Sequence, residues 1–444
     1  MAIHHYSMNI EVAGLVHIGN GSQYGKKDYY ANGRKIVVLD TRKFVSMLDE
    51  QQVSRYCQFL QDNGRGQHSN ANICSDLQTF LDRNPDMRKI AENSIAYEME
   101  SSLVTARRGA IQYYDVWEFV KDAYGNPYVP GSSVKGMLRT AILFNAVRAD
   151  DSMRKLLGDD ARNLFRDCKN LNDSSLTEKA FFKEHPDKAN FKISNDIMKY
   201  ISVTDSEPIA GDCLVLAKKF DVFSRNDTAD HKAKFRNLVQ YDGNSLNVYR
   251  ECLRPGTKFC IDVDIDSRIN SFLEECVLDE QGILDVLQKF FEFYSDNFLR
   301  KFSQHRWFER EDPYAIRRSE KTNLTTCYLG GGVDFASKTV VSALFDSVDE
   351  RVRAASNVLF TQFPTKLDTH YYGWLWNKSY NAGFRPKKMR AVRGYGGRLK
   401  KAKEDHRHWM DPDLGVSPHT MKYGMVGDNS YPMGKCRVSI SERK

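Results

Sequence analysis

One stretch restricts the fold more than any other. Residues Thr257–Asp266 (TKFCIDVDID) alternate strictly, with Phe259, Ile261, Val263 and Ile265 on one side and Cys260, Asp262, Asp264 and Asp266 on the other. Only an extended strand separates such residues, because successive side chains point to opposite faces. A sheet carrying it must be covered on the apolar face and open to water or polar neighbours on the other. Ile3–Ile18, Lys35–Leu39, Tyr200–Thr204, Asp212–Phe223 and Gly434–Ile440 also read as strands. Helical spacing is predicted over Thr41–Asp62, over Cys74–Met99 with a break at Pro85, from Ser132 onward, over Ile283–Phe302 and over Ser337–Ala355. A half-wet sheet backed by helices defines the α+β class.

Size sets the number of units. The 444 residues are 41% hydrophobic and 28% charged, enough apolar surface for extensive cores. Two α+β units are expected. The first spans 1–266 with insertions near 63–110 and 150–195; the second spans 267–444. No run approaches the roughly 18 apolar residues of a membrane span, and the opening MAIHHYSMNI lacks the order of a signal peptide. Nine cysteines occur without any CxxC, which argues against a zinc ribbon and fits a reducing compartment. These features predict a cytoplasmic chain with no membrane partner.

The net charge of +7 is concentrated at one end. From Phe384 onward there are 15 basic and 6 acidic residues, while residues 1–383 carry 50 basic and 52 acidic. Within Arg385–Lys403 nine of nineteen residues are basic and none is acidic. A like-charged block of this density repels itself unless a polyanion neutralises it. Gly394, Gly396 and Gly397 around Tyr395 predict a loop, and Gly, Arg and an aromatic together suit single-stranded RNA. Arg390, Arg393, Arg398, Lys400 and Lys401 are the cations assigned to that contact.

The densest motif is Val129–Thr140, VPGSSVKGMLRT. A Pro-Gly turn runs into a helix with Ser132 and Ser133 as N-caps, so free N–H groups and the positive end of the helix dipole meet there. Lys135 and Arg139, four apart, share the face opposite the apolar stripe, and Gly136 admits a close backbone. Together these make an anion site fit for a phosphodiester. GxxxxGK[ST] is absent, so nucleotide hydrolysis is not indicated.

Catalysis and metal binding have their own candidates. His17, at a strand end beside Gly19 and Gly21, could act as general acid or base in RNA cleavage. His406 and His408 lack a fixed third ligand. Asp262, Asp264 and Asp266 could face Mg²⁺, although a polar sheet face explains them as well. No metal or other cofactor is expected.

Taken in order, these pieces resemble a known family. Val129–Gly136 with Arg139-Thr140 resembles the PGSSxKGxxRT signature of RAMP proteins, the RNA-binding subunits of CRISPR effector complexes. His17-Ile18-Gly19-Asn20-Gly21 resembles their HIGxG turn, and Val203-Thr204-Asp205-Ser206 their VSDS strand end. Gly330-Gly331-Gly332 with Phe335, Ser337, Lys338 and Thr339 resembles their glycine-rich segment, and Ser417–Lys422 their SPxTLK element. The match is best to the RAMP subunits that cap the filament of type III-A (Csm) complexes. The resemblance implies an RRM-like, ferredoxin-like domain with helical insertions and a second, degenerate RRM-like domain. It implies binding of the 3′ part of the crRNA and support of crRNA 3′-end maturation without catalysis. Partners would be the adjacent backbone RAMP subunit, the small helical subunit and host nucleases that trim crRNA. His17, Gly19, Gly21, Ser132, Ser133, Lys135, Arg139, Gly330, Gly331, Gly332 and Lys338 would contact RNA. Two alternatives stay open: a metal-independent crRNA-processing endoribonuclease, and a protein scaffold that recruits trimming nucleases.

Overall fold

A computed structural model describes residues 2–61, 74–101, 113–166, 182–183, 193–223, 243–244, 248–273, 276–302, 323–362 and 411–443. Within these the chain is a mixed α+β structure built on two sheets.

The first sheet contains the alternating strand. β1 (Ile3–Val12), β7 (Ile201–Val203), β11 (Lys258–Asp266), β12 (Thr325–Tyr328) and β15 (Lys435–Glu442) line up in the order β12-β15-β1-β11-β7, every neighbour antiparallel. The alternation does what it predicts. Ile261, Val263 and Ile265 of β11 and Met8, Ile10 and Val12 of β1 are buried on one side. That side packs against α5 (Gly131–Ala149) and α7 (Glu280–Asn297), joining one large core. Each such side chain contributes about 1.5–3 kcal/mol by leaving water. On the other face each carboxylate of β11 has a partner: Asp262 pairs with Arg443, Asp264 Oδ1 lies 2.7 Å from His5 Nδ1, and Asp266 pairs with Arg268 at 2.5 Å. Among the described residues no cluster suited to a metal ion is found there or elsewhere.

The second sheet grows from the segments that interrupt the first. β2 (Gly19–Tyr24), β3 (Tyr29–Asn32), β4 (Lys35–Leu39), β5 (Ile95–Ser101) and β6 (Val116–Phe119) lie between β1 and α5. β8 (Leu214–Phe223), β9 (Gly243–Asn244) and β10 (Tyr249–Leu253) lie between β7 and β11, and β13 (Thr420–Val426) and β14 (Asn429–Pro432) precede β15. The main path runs β2-β6-β10-β8-β5-β4-β3, with β13 and β9 also pairing to the long strand β8. Both sheets therefore draw strands from before and after residue 266.

Three helix expectations need correction. Thr41–Asp62 is two helices, α1 (Thr41–Ser46) and α2 (Glu50–Gln61). Asp49 starts the second: its carboxylate accepts from Gln52 N at 2.8 Å while Gln52 Oε1 accepts from Asp49 N at 3.0 Å, a reciprocal capping box. Cys74–Met99 holds α3 (Leu77–Arg83) and α4 (Pro85–Glu92), but Ile95–Ser101 is strand β5, paired to β4 and β8. Sheet pairing there overrides the helical composition. Ser337–Ala355 opens with short 3₁₀ turns, and α8 begins only at Val348 and runs to Gln362. The β-branched run Thr339-Val340-Val341 disfavours an earlier start. The remaining helix of the core region, α6 (Asp151–Arg166), is tied back by Arg154, which reaches Asp346 at 2.6 Å. No helix among the described residues is long and apolar enough to cross a membrane.

Candidate RNA-binding cleft

The start of α5 is fixed from outside the helix. Pro130, with no capping side chain, stands at the N-cap, and Asp205 Oδ1 accepts from Gly131 N at 2.7 Å. Position 131 tolerates only glycine, because a Cβ there would lie 2.3 Å from the Thr204 carbonyl oxygen. Ser206 adds a second clasp: its Oγ accepts from Val129 N and its N donates to Val129 O, both at 2.9 Å. The PGSS and VTDS stretches, more than seventy residues apart, are thus one joint. Ser132 and Ser133 are not the N-caps expected of them; Asp205 takes that role and leaves the two serines at the helix entrance.

The glycine turn is fastened in the same way. Gly331 N donates to His17 O at 2.6 Å, and Gly330, at φ +86°, leaves no room for a Cβ, which would sit 2.3 Å from that same oxygen. Asp334, just past the turn, accepts from Tyr294 OH at 3.0 Å and from Lys422 N at 2.9 Å. Burial, the larger influence, pushes the Asp334 carboxyl up to about 7. Through Asp334 the glycine turn is braced against α7 and against the Ser417–Lys422 element.

His17 is part of the framework. It is 5% exposed, and its Nδ1 lies 2.8 Å from the Glu251 carbonyl, which can only accept, so Nδ1 carries the hydrogen. Burial lowers its pKa to about 4, which keeps the ring neutral at pH 7. The Glu251 carboxylate, fully buried, accepts from Tyr24 OH (3.0 Å), Tyr97 OH (2.6 Å), Phe119 N (2.8 Å) and Lys121 Nζ (2.6 Å). This network joins β2, β5, β6 and β10 behind the histidine.

Between these joints lies a cleft of about 470 Å³. One wall is polar: Gly19, Ser132, Ser133, Gly330, Gly331, Ser337 and Lys338. The other is largely apolar, with Met137 from α5, Leu287, Phe290, Phe291 and Tyr294 from α7, and Tyr328 from β12. Lys338 is accessible at the mouth, yet the walls strip enough water from its ammonium to lower its pKa. Among the described residues no carboxylate opposes that shift, so a bound anion would supply a counter-charge.

The cleft therefore unites Gly19, Ser132, Ser133, Gly330, Gly331 and Lys338 of the expected set. It excludes the two helix cations. Lys135 Nζ donates to Ile201 O at 2.7 Å, and Arg139 pairs with Asp196 at 2.7 Å over the Phe182 ring. Both point at the protein, because the side of α5 away from the cleft packs on β7 and the turns before it. Gly136 also differs from expectation: nothing lies within 4 Å of where its Cβ would be, so it opens space rather than admitting a backbone. His17 stands behind the cleft, Gly21 lies on exposed β2, and Gly332 sits against Arg250. Arg390, Arg393, Arg398, Lys400, Lys401, His406 and His408 lie outside the described residues. Sequence reasoning missed the α7 wall as part of a site, although the aromatic content of that helix was its visible signal.

This joint of glycine turn, Pro-Gly helix start and clasping strand end defines a class. A family model described as the RAMP superfamily matches residues 9–312, and the chain belongs to that superfamily. Among curated relatives, a protein of Streptococcus thermophilus named CRISPR system Cms protein Csm5 is 28% identical over 310 residues, covering 67% of this chain and 72% of its own. A Mycobacterium tuberculosis protein of the same name is 22% identical over 447 residues, covering 98% and 97%. Two solved structures share the fold. A chain of a Csm–crRNA–target RNA ternary complex from a type III-A system superposes with a TM-score of 0.56 at 17% identity, covering 98% of this chain and all of that one. Csm5 of T. onnurineus superposes at 0.53 and 16% identity, covering 80% and 95%.

Proposed function

We propose that this chain is the RNA-binding subunit of a type III-A CRISPR effector (Csm) complex that caps the backbone filament at the 3′ end of the crRNA and supports its 3′-end maturation. The carrying observation is convergence: three short motifs line one cleft with Lys338 among them, and two more, from 203–206 and 417–422, clasp the first turn of α5 and the glycine turn in place. The cleft meets the RNA backbone, with Lys338 opposite a phosphate and Ser132, Ser133 and the turn at Gly330–Gly331 beside it. Such contacts position RNA without reading its sequence. The basic segment 385–403 supplies further cations for the same RNA.

The strand order supports an RRM-like, ferredoxin-like reading of the first sheet. β1, α5, β7, β11, α7 and β15 follow in the sequence βαββαβ with spatial order β15-β1-β11-β7, the split-βαβ pattern. The polar face of this sheet carries paired carboxylates in place of stacking rings, which favours the cleft over the sheet as the RNA platform. A buried, neutral His17 that does not line the cleft favours binding over cleavage. The adjacent backbone RAMP subunit, the small helical subunit and host trimming nucleases are the partners this reading assigns, in the cytoplasm.

Crosslinking within the assembled particle tests it. Crosslinks from this chain should fall in the 3′ part of the guide RNA; crosslinks confined to the 5′ part would overturn the capping role.

A further inference from the structure

Resting on the RNA reading above, we infer that the cleft seats one unstacked nucleotide, its phosphate at Lys338 and its base against the aromatic wall of α7. A backbone lying across a surface needs cations but no cavity and no rings. This cleft has both. Its volume of about 470 Å³ lies in the range of small-ligand pockets. Leu287, Phe290, Phe291 and Tyr294 recur at helical spacing, so one face of α7 presents the whole wall.

The rings are held in place before any ligand arrives. Phe290 packs on Phe144 at 5.4 Å between centroids, and Tyr294 meets Tyr328 edge-on at 5.0 Å. Tyr294 OH already donates to Asp334, and Thr140 Oγ1 to Gly136 O at 3.0 Å. Phe291 and Tyr294 are buried and Phe290 is half-buried, so Phe290 is the ring of this wall that offers surface, and stacking on it is tolerant of base identity. The open space at Gly136 leaves the sugar and base room to enter.

Binding of the full-length chain to single-stranded RNAs, each abasic at one position, tests this. Phe290→Ala should weaken binding of intact RNA about tenfold, the scale of one lost stacked base. That penalty should vanish for the RNA abasic at the captured position. Gly136→Leu, which fills the cleft on a helix that accepts leucine, should give the same loss and the same position-dependent rescue. A penalty equal at every abasic position, or none in either variant, overturns the inference. Lys338→Gln separates the two levels: weakened binding with no effect at Phe290 and Gly136 leaves the backbone reading standing, whereas no effect in any of the three removes the cleft from RNA binding.

Discussion

Lys135 and Arg139 on α5 and Lys338 beyond the glycine turn are cations of the same formal charge flanking one cleft, with opposite assignments. The first two are consumed by the protein, one by the Ile201 carbonyl and one by Asp196 and the Phe182 ring. The third loses hydration and gains no carboxylate among the described residues. A cation that already has its partners stabilises the fold; one that lacks them is available to a ligand. Proximity to a site does not distinguish the two, and local accounting of partners does.

The strongest way to break this contrast is to remove the platform on which it rests. Gly330→Ala places a Cβ against the His17 carbonyl at a positive φ, which should cost about 3 kcal/mol or more from the clash and the strain together. Denaturant unfolding should show the loss. An unchanged midpoint would mean that the turn is not pressed onto the His17 strand.

Arg139→Ala sharpens the contrast from the structural side. It removes the cation from Asp196, which keeps its bond from Met198 N and the nearby Lys135, and uncovers the buried Phe182 ring, so stability should fall by about 2 kcal/mol. RNA affinity at fixed salt should change by less than about twofold once the sample is folded, since no phosphate contact is lost. A large affinity loss with normal stability would reverse the assignment.

Much of this site is legible in the sequence. Short Gly and Pro patterns dictate backbone geometry, so HIGNG, PGSS and GGG carry their joints wherever they occur. The alternation of β11 fixes its buried face for the same local reason. Side-chain destinations are different. Lys135 and Arg139 sit opposite an apolar stripe, which normally means solvent, but Ala141-Ile142-Leu143-Phe144 is apolar on successive positions and marks a helix buried on several sides. The face opposite the stripe meets β7, a neighbour contributed from sixty residues away. Strand β5 escaped for a similar reason: IAYEMES follows two short helices, and only pairing with β4 and β8 makes it extended. Ser132 and Ser133 stand at the helix entrance as their spacing predicts but do not cap it, because the cap comes from Asp205 across the joint. Spacing reports which residues share a face, while tertiary packing decides what that face meets.

The salt dependence of RNA binding tests the central contrast most directly. Lys338→Gln and Lys135→Gln each remove one positive charge within a turn or two of the cleft. A cation that neutralises one phosphate of single-stranded RNA adds about 0.7 to the slope of log K against log salt. Lys338→Gln should reduce the slope by about that amount, and Lys135→Gln should leave it where it was. Equal slopes for wild type and Lys338→Gln, or a reduction in Lys135→Gln alone, would contradict the account.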